Sequence, residues 1–172
     1  MRTRLALLAA LAAAAFPSAA FADDPPPTCL AAKGPAIDGQ SVRGVRVGTR
    51  AAVRGSDGNP LNVSSVSYCV EGGGEFSFAL SNDSDVVLAL STAEGDAVGE
   101  INPTSPAESA RLAFPKMARI AKRGATAVYR VDSRRQLILG VAGGRVNFVA
   151  AADRLLLEYP NKLGYYLHRL GF

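Results

Sequence analysis

One strand pattern is written twice in this chain. Residues 65–70 read "SVSYCV" and residues 126–131 read "TAVYRV". Apolar and aromatic residues alternate with small or polar ones, the period of two that a half-buried antiparallel strand requires. The correspondence extends in both directions. Gly44, Thr49, Ala52 and Pro60 fall 55 positions before Gly99, Thr104, Ala107 and Pro115. After six inserted residues the offset is 61, and Tyr68, Val70, Phe76, Phe78 and Leu80 meet Tyr129, Val131, Leu137, Leu139 and Val141. With one residue fewer in the next turn, Val86, Leu88 and Leu90 meet Val146, Phe148 and Ala150. The pattern predicts two copies of one unit.

Each unit reads as a helix followed by strands. Ser105 to Glu108 has the Ser-x-x-Glu form of a capping box, with Pro106 at the first helical position. Pro115 limits that helix, and "KMARIAKR" resumes it for a turn or two. The matching helix after Thr49 is short and broken by "GSDGNP". Phe76, Phe78 and Leu80 point one way, and Ser77 and Ala79 the other. Gly143 and Gly144, between apolar runs, mark a two-residue hairpin. In "NKLGYYLHRLGF", Leu163, Tyr166, Leu167 and Leu170 share one helical face, closed by Gly171. The expected fold class is α+β: two tandem units, each a short helix followed by a three-stranded antiparallel sheet, plus a C-terminal helix. The expected organisation is a signal peptide at 1–22, a proline-rich leader with Cys29 at 23–41, unit one at 42–93, a linker at 94–97, unit two at 98–158 and the helix at 159–172.

The N-terminus places Arg2 and Arg4 before an apolar run from Leu5 to Phe16, then Pro17 and "SAAFA". That order predicts a secretory signal cleaved after Ala22, and hence a secreted or extracytoplasmic protein. An uncleaved anchor is the competing reading, although the run is shorter than a spanning helix needs. No cysteine sits at the junction to take a lipid, and no later stretch reads as a membrane span. Removing residues 1–22 takes away two arginines, so the formal charge of +4 becomes +2. Without a run of basic residues or arginine–aromatic interleaving, the expectation is no nucleic-acid partner. Two cysteines in an exported chain predict one disulfide, Cys29 to Cys69. Parity puts Ser65, Ser67 and Cys69 opposite Val66, Tyr68 and Val70, so the bridge is expected to draw the leader over that open face or its edge.

Catalytic signatures are sparse. The sole histidine, His168, lies in the terminal helix with no nucleophile context. No G-x-S-x-G or H-E-x-x-H pattern occurs. Asp83, Asp85, Glu94, Asp96 and Glu100 lack the spacing of an EF-hand loop, and "EGGGE" at 71–75 joins two strands rather than a strand and a helix. No cofactor and no metal are expected. The densest aromatic group is Tyr165 and Tyr166 with Tyr159 nearby; Tyr165, His168 and Arg169 are the candidate partner surface, since tyrosine and arginine are favoured interface anchors. The expected function is a non-enzymatic binding module for an unknown protein or cell-envelope partner. A small hydrolase without a recognisable motif and a structural envelope protein are the alternatives.

A signal peptide followed by tandem helix-plus-sheet units, with the turn "VRVGTRAAV" opening the first, resembles the secreted β-lactamase inhibitor protein family and the small outer-membrane assembly lipoproteins. The lipid-bearing cysteine of the second family is absent. The inhibitor resemblance implies a concave sheet surface that grips an enzyme. The strand positions expected to point outward are small or polar: Ser67, Ser77, Ala79, Gly140 and Asn147.

Overall fold

The computed structural model describes residues 29–54, 59, 62–132 and 134–172. The expected signal peptide, its cleavage site, the leader before Cys29 and all of "GSDGNP" except Asn59 lie outside the described residues. Strands β1 (Ser41–Val42) and β2 (Val45–Arg46) form a small hairpin. The other seven are β3 (Ser65–Cys69), β4 (Glu75–Leu80), β5 (Val86–Ser91), β6 (Ala118–Arg123), β7 (Thr126–Arg130), β8 (Leu137–Ala142) and β9 (Arg145–Ala152). They make one antiparallel sheet in the order β3-β4-β5-β9-β8-β7-β6. The helices are short: α1 (Ala107–Ala113), α2 (Arg154–Glu158) and α3 (Pro160–Arg169).

This overturns the expectation of two helix-plus-sheet units. β5 and β9 pair antiparallel through Leu88–Ala152, Ala89–Ala151, Leu90–Ala150 and Ser91–Val149, so both stretches share one mostly-β body. The reason is physical: each meander alone would leave an apolar inner strand with unpaired N–H and C=O groups, and joining them satisfies both edges. No helix precedes β3 among the described residues. Residues 48–51 instead run beside the start of β5, with Gly48 N–H donating to Val86 O, Val86 N–H to Thr49 O and Ala51 N–H to Ser84 O at 2.8, 2.9 and 2.9 Å.

Two further local expectations fail. "KMARIAKR" contains β6 rather than a resumed helix: Met117, Ile120 and Ala121 imitate helical spacing, but Ala118 to Arg123 complete the ladder against β7, with an irregularity between Arg119 and Ala121. The capping box does not close either. Pro106 is the N-cap of α1 without a side-chain cap bond, while Ser105 Oγ turns back to donate to Asn102 Oδ1 at 2.6 Å and accept from Asn102 N–H at 3.0 Å. At the other end of the chain, α3 stops in a Schellman arrangement. Gly171, with φ +90°, donates to His168 O and Phe172 donates to Leu167 O.

Both sheet faces are buried, which alternation alone does not dictate. On one, Phe76, Phe78, Leu80, Val86, Leu137, Leu139, Val146 and Val149 form a core closed by Leu30, Ile37, the β1–β2 hairpin and α1. On the other, Leu88, Leu90, Ile138, Phe148 and Ala150 pack with Leu156, Leu157, Leu163 and Leu167 of α2 and α3. Asp153 starts α2 by accepting from Leu155 N–H at 2.8 Å. The ladders of the two halves match closely: bulges fall at Ala79/Leu80 and at Gly140/Val141, 61 positions apart. The next pairs outward, β3 with β4 and β7 with β8, do not match, since Tyr68 opposes Phe76 whereas Tyr129 opposes Leu139.

The disulfide joins Cys29 and Cys69, with Cα atoms 4.8 Å apart. Closing a loop over a sequence separation of 40 contributes ~3–4 kcal/mol in the chain-entropy account. It pins the leader to the β3 edge, where Leu30 N–H donates to Cys69 O and Glu71 N–H to Leu30 O at 2.9 and 2.8 Å. Beyond Leu30 the leader packs onto the Tyr68 face, through Leu30 and Ile37, and not across the Ser67 face. A buried ion pair locks it there. Arg43 Nε donates to Asp96 Oδ2 at 2.6 Å, with the side chains 5% and 1% exposed. Arg43 also donates to the carbonyls of Ala31 and Ala32, and Asp96 accepts from Ser91 Oγ.

Candidate partner-binding surface

Amphipathic packing of α3 fixes what it offers to solvent. Leu163 and Leu167 are buried, Tyr166, Leu170 and Phe172 pack against the same core, and the Phe172 ring meets Phe148 edge-on at 4.8 Å. Lys162 follows Tyr159 by three residues, Tyr165 and Tyr166 follow Lys162 by three and four, and Arg169 follows those two by four and three, so they line an adjacent stripe of the helix. Tyr165 is 56% exposed and Tyr159 is 53% exposed. The Arg169 guanidinium lies over the Tyr165 ring at 5.4 Å and near Tyr166 at 6.0 Å, while the two tyrosines meet edge-on at 5.2 Å. Lys162 sits over Tyr159 at 5.0 Å. Cation–π contacts of this kind hold long basic side chains in place while leaving their charge exposed.

Of the three residues singled out in the sequence, the structure brings Tyr165 and Arg169 together. His168 is exposed but turned about 100° around the helix from Arg169. The outward-pointing sheet positions are corrected. Ala79 and Gly140 are buried and Ser77 is 2% exposed; Asn147 is half-buried and donates to Thr126 Oγ1 at 3.1 Å, and only Ser67 stays exposed. The second face is roofed by α2 and α3 across the centre of the sheet, so no open concave surface remains at those positions.

The main contact of α3 in the sheet is with β6, the last strand in the order. Arg119, Lys122 and Arg123 of that strand are exposed. Reading for motifs missed this region because its signal is charge distribution. Residues 29–103 hold nine Asp or Glu and five Lys or Arg, net −4, whereas residues 104–172 hold four and twelve, net +8. Between Lys116 and Val131 there is no carboxylate at all.

Other candidate chemistry is modest. A depression of about 280 Å³ between the end of α1 and the β7–β8 loop is lined by Phe114, Pro115, Lys116, Val131, Asp132 and Arg135. Asp132 there is already engaged. Its Oδ1 accepts from the N–H groups of Arg134 and Arg135 at 2.6 and 2.9 Å, and those bonds, Arg134's foremost, hold its carboxyl below the usual range. Among the described residues no group of three or more His, Cys, Asp or Glu could hold a metal ion, and no helix is long and apolar enough to cross a membrane. Compared with protein-family models, with curated proteins and with solved structures, the chain has no match.

Proposed function

We propose that this chain is an exported, non-enzymatic binding module that docks a protein or cell-envelope partner on its α3 surface. The observation that carries the reading is Tyr165, more than half exposed and yet braced by Tyr166 and Arg169. An anchor ordered before binding loses less side-chain entropy on contact, and tyrosine and arginine dominate the energetics of many interfaces. The disulfide is compatible with an oxidising compartment. Matching bulges 61 positions apart and the paired Leu90 and Ala150 at the seam support a duplicated strand unit as the origin of the sheet.

The test is capture of partners from culture supernatant and from a solubilised envelope fraction, with the mature protein immobilised. Retention of a discrete partner by the wild type, and its loss with Tyr165→Ala and Arg169→Ala together, is the expected result. Capture unchanged by the double substitution would remove α3 as the docking surface.

A further inference from the structure

Resting on that reading, we propose that the outer edge of β6 accepts an acidic, extended polypeptide segment as an added strand, with the cations of α3 alongside. The two ends of the sheet differ in a way that carries this assignment. At β3, the Cys69 end of the edge is already taken: Leu30 bridges to Val70, just past the strand, and donates to Cys69 O, and Cys29 is tied to Cys69. At β6, no strand or bridge lies beyond the β7 ladder among the described residues. An edge of this kind presents N–H and C=O groups ready for another chain.

Charge selects the occupant. The ion pairs among the described residues join Arg43 to Asp96, Arg135 to Asp132 and Arg154 to Glu158, and none uses a cation of β6 or α3. Ala121 packs toward the α2–α3 core, so alternation puts Lys122 on the opposite face and Arg123 on the α3 face. An incoming strand therefore meets positive charge on both faces. A second copy of β6 brings the same charges and is repelled, which protects the edge from self-pairing while leaving it open to a carboxylate-rich segment. A polyanion with no amide backbone would neutralise the cations but leave the ladder unmade, so a polypeptide fits both features of the edge.

The experiment uses the full mature chain and a fluorescent eight-residue peptide of alternating glutamate and valine, followed by anisotropy. Expected is saturable binding that falls about tenfold or more with K122E/R123E, as two exposed charge contacts become repulsions. K122Q/R123Q is expected to give an intermediate loss, R111E on α1 none, and added salt a progressive loss. A peptide N-methylated at every residue is expected not to bind, since neither of its edges can donate to the ladder. Unchanged melting of K122E/R123E separates loss of docking from loss of fold. Absence of peptide binding, equal binding of the N-methylated peptide, equal or tighter binding of inorganic polyphosphate, or indifference to charge reversal would each overturn the assignment. Partner capture through Tyr165 and Arg169 is read in its own assay, so its survival alongside a failed peptide test leaves the binding module standing and removes only the edge.

Discussion

Tyr68 and Tyr129 stand at matching places in the two halves of the sheet and end in different surroundings. Tyr68 stacks on Phe76 and Phe78 with ring centroids 6.3 and 6.4 Å apart, and burial pushes its phenol pKa up. Tyr129 lies two residues further along its neighbour, opposite Leu139, and is half-buried. The difference follows from what covers each half. Leu30, Ile37, Val45, Ala51 and Val53 close over the Tyr68 face, whereas α3 closes over the opposite face at β6. The two halves thus carry different coverings, and they differ sharply in charge.

The comparison can be broken most severely at Arg43. Its matching position, 55 residues on, is Val98, which is 2% exposed. Arg43→Val alone leaves the Asp96 carboxylate buried without its cation and is expected to cost about 3–5 kcal/mol in urea unfolding, whereas Arg43→Val with Asp96→Val is expected to cost much less. Equal losses in the two variants would show that packing, not the uncompensated charge, dominates.

A smaller effect is expected where the halves differ by volume. Ala79 opposes Leu88 in the first half, and Gly140 opposes Phe148 at the matching pair. A Cβ added to Gly140 would lie 2.1 Å from Phe148 Cε1. Gly140→Ala is therefore expected to destabilise by about 1–3 kcal/mol, and adding Phe148→Leu, which recreates the first half's pair, to recover most of that loss in thermal melts. No recovery would mean that Asn147 Oδ1, 2.6 Å from the same position, rather than the ring, excludes the methyl group.

The smallest effect is common to both halves. Asp38 accepts from Gln40 and Ser41 N–H groups, with the Gln40 bond foremost in lowering its pKa, and Asp132 is lowered in the same manner by Arg134. A depressed folded pKa contributes stability that is present above the unfolded value near ~3.9 and is lost as pH falls through the folded value. Carbon-detected NMR titration is expected to place both midpoints below that of ordinary aspartate. A midpoint at the ordinary value for either would remove its turn from the acid-sensitive contacts.

Strand content was legible wherever alternation ran unbroken, as in Phe76 to Leu80, and the glycine pair at 143–144 marked its hairpin. Cysteine parity named the disulfide. Sheet order was not legible, because the pairing of β5 with β9 joins residues sixty positions apart and leaves no local signature. β6 was misread for the same reason: Met117, Ile120 and Ala121 fit a helix until β7 is known to need a neighbour. The candidate surface divided similarly. Tyr165 and Arg169 were visible as a local aromatic–basic group, while the basic edge beside them depends on β6 being last in the sheet.

The seam between β5 and β9 also sets a schedule. During synthesis the apolar inner edge at Leu88 to Ser91 emerges well before its partner at Val149 to Ala152, and nothing nearer in sequence takes that place in the final ladder. Long-range closure is slow, and an apolar strand edge left waiting is exposed to other chains. The nascent first half therefore spends its early life as the adhesive part of the molecule. In refolding of the full chain the same slow closure leaves that edge exposed, and the yield should fall as protein concentration rises.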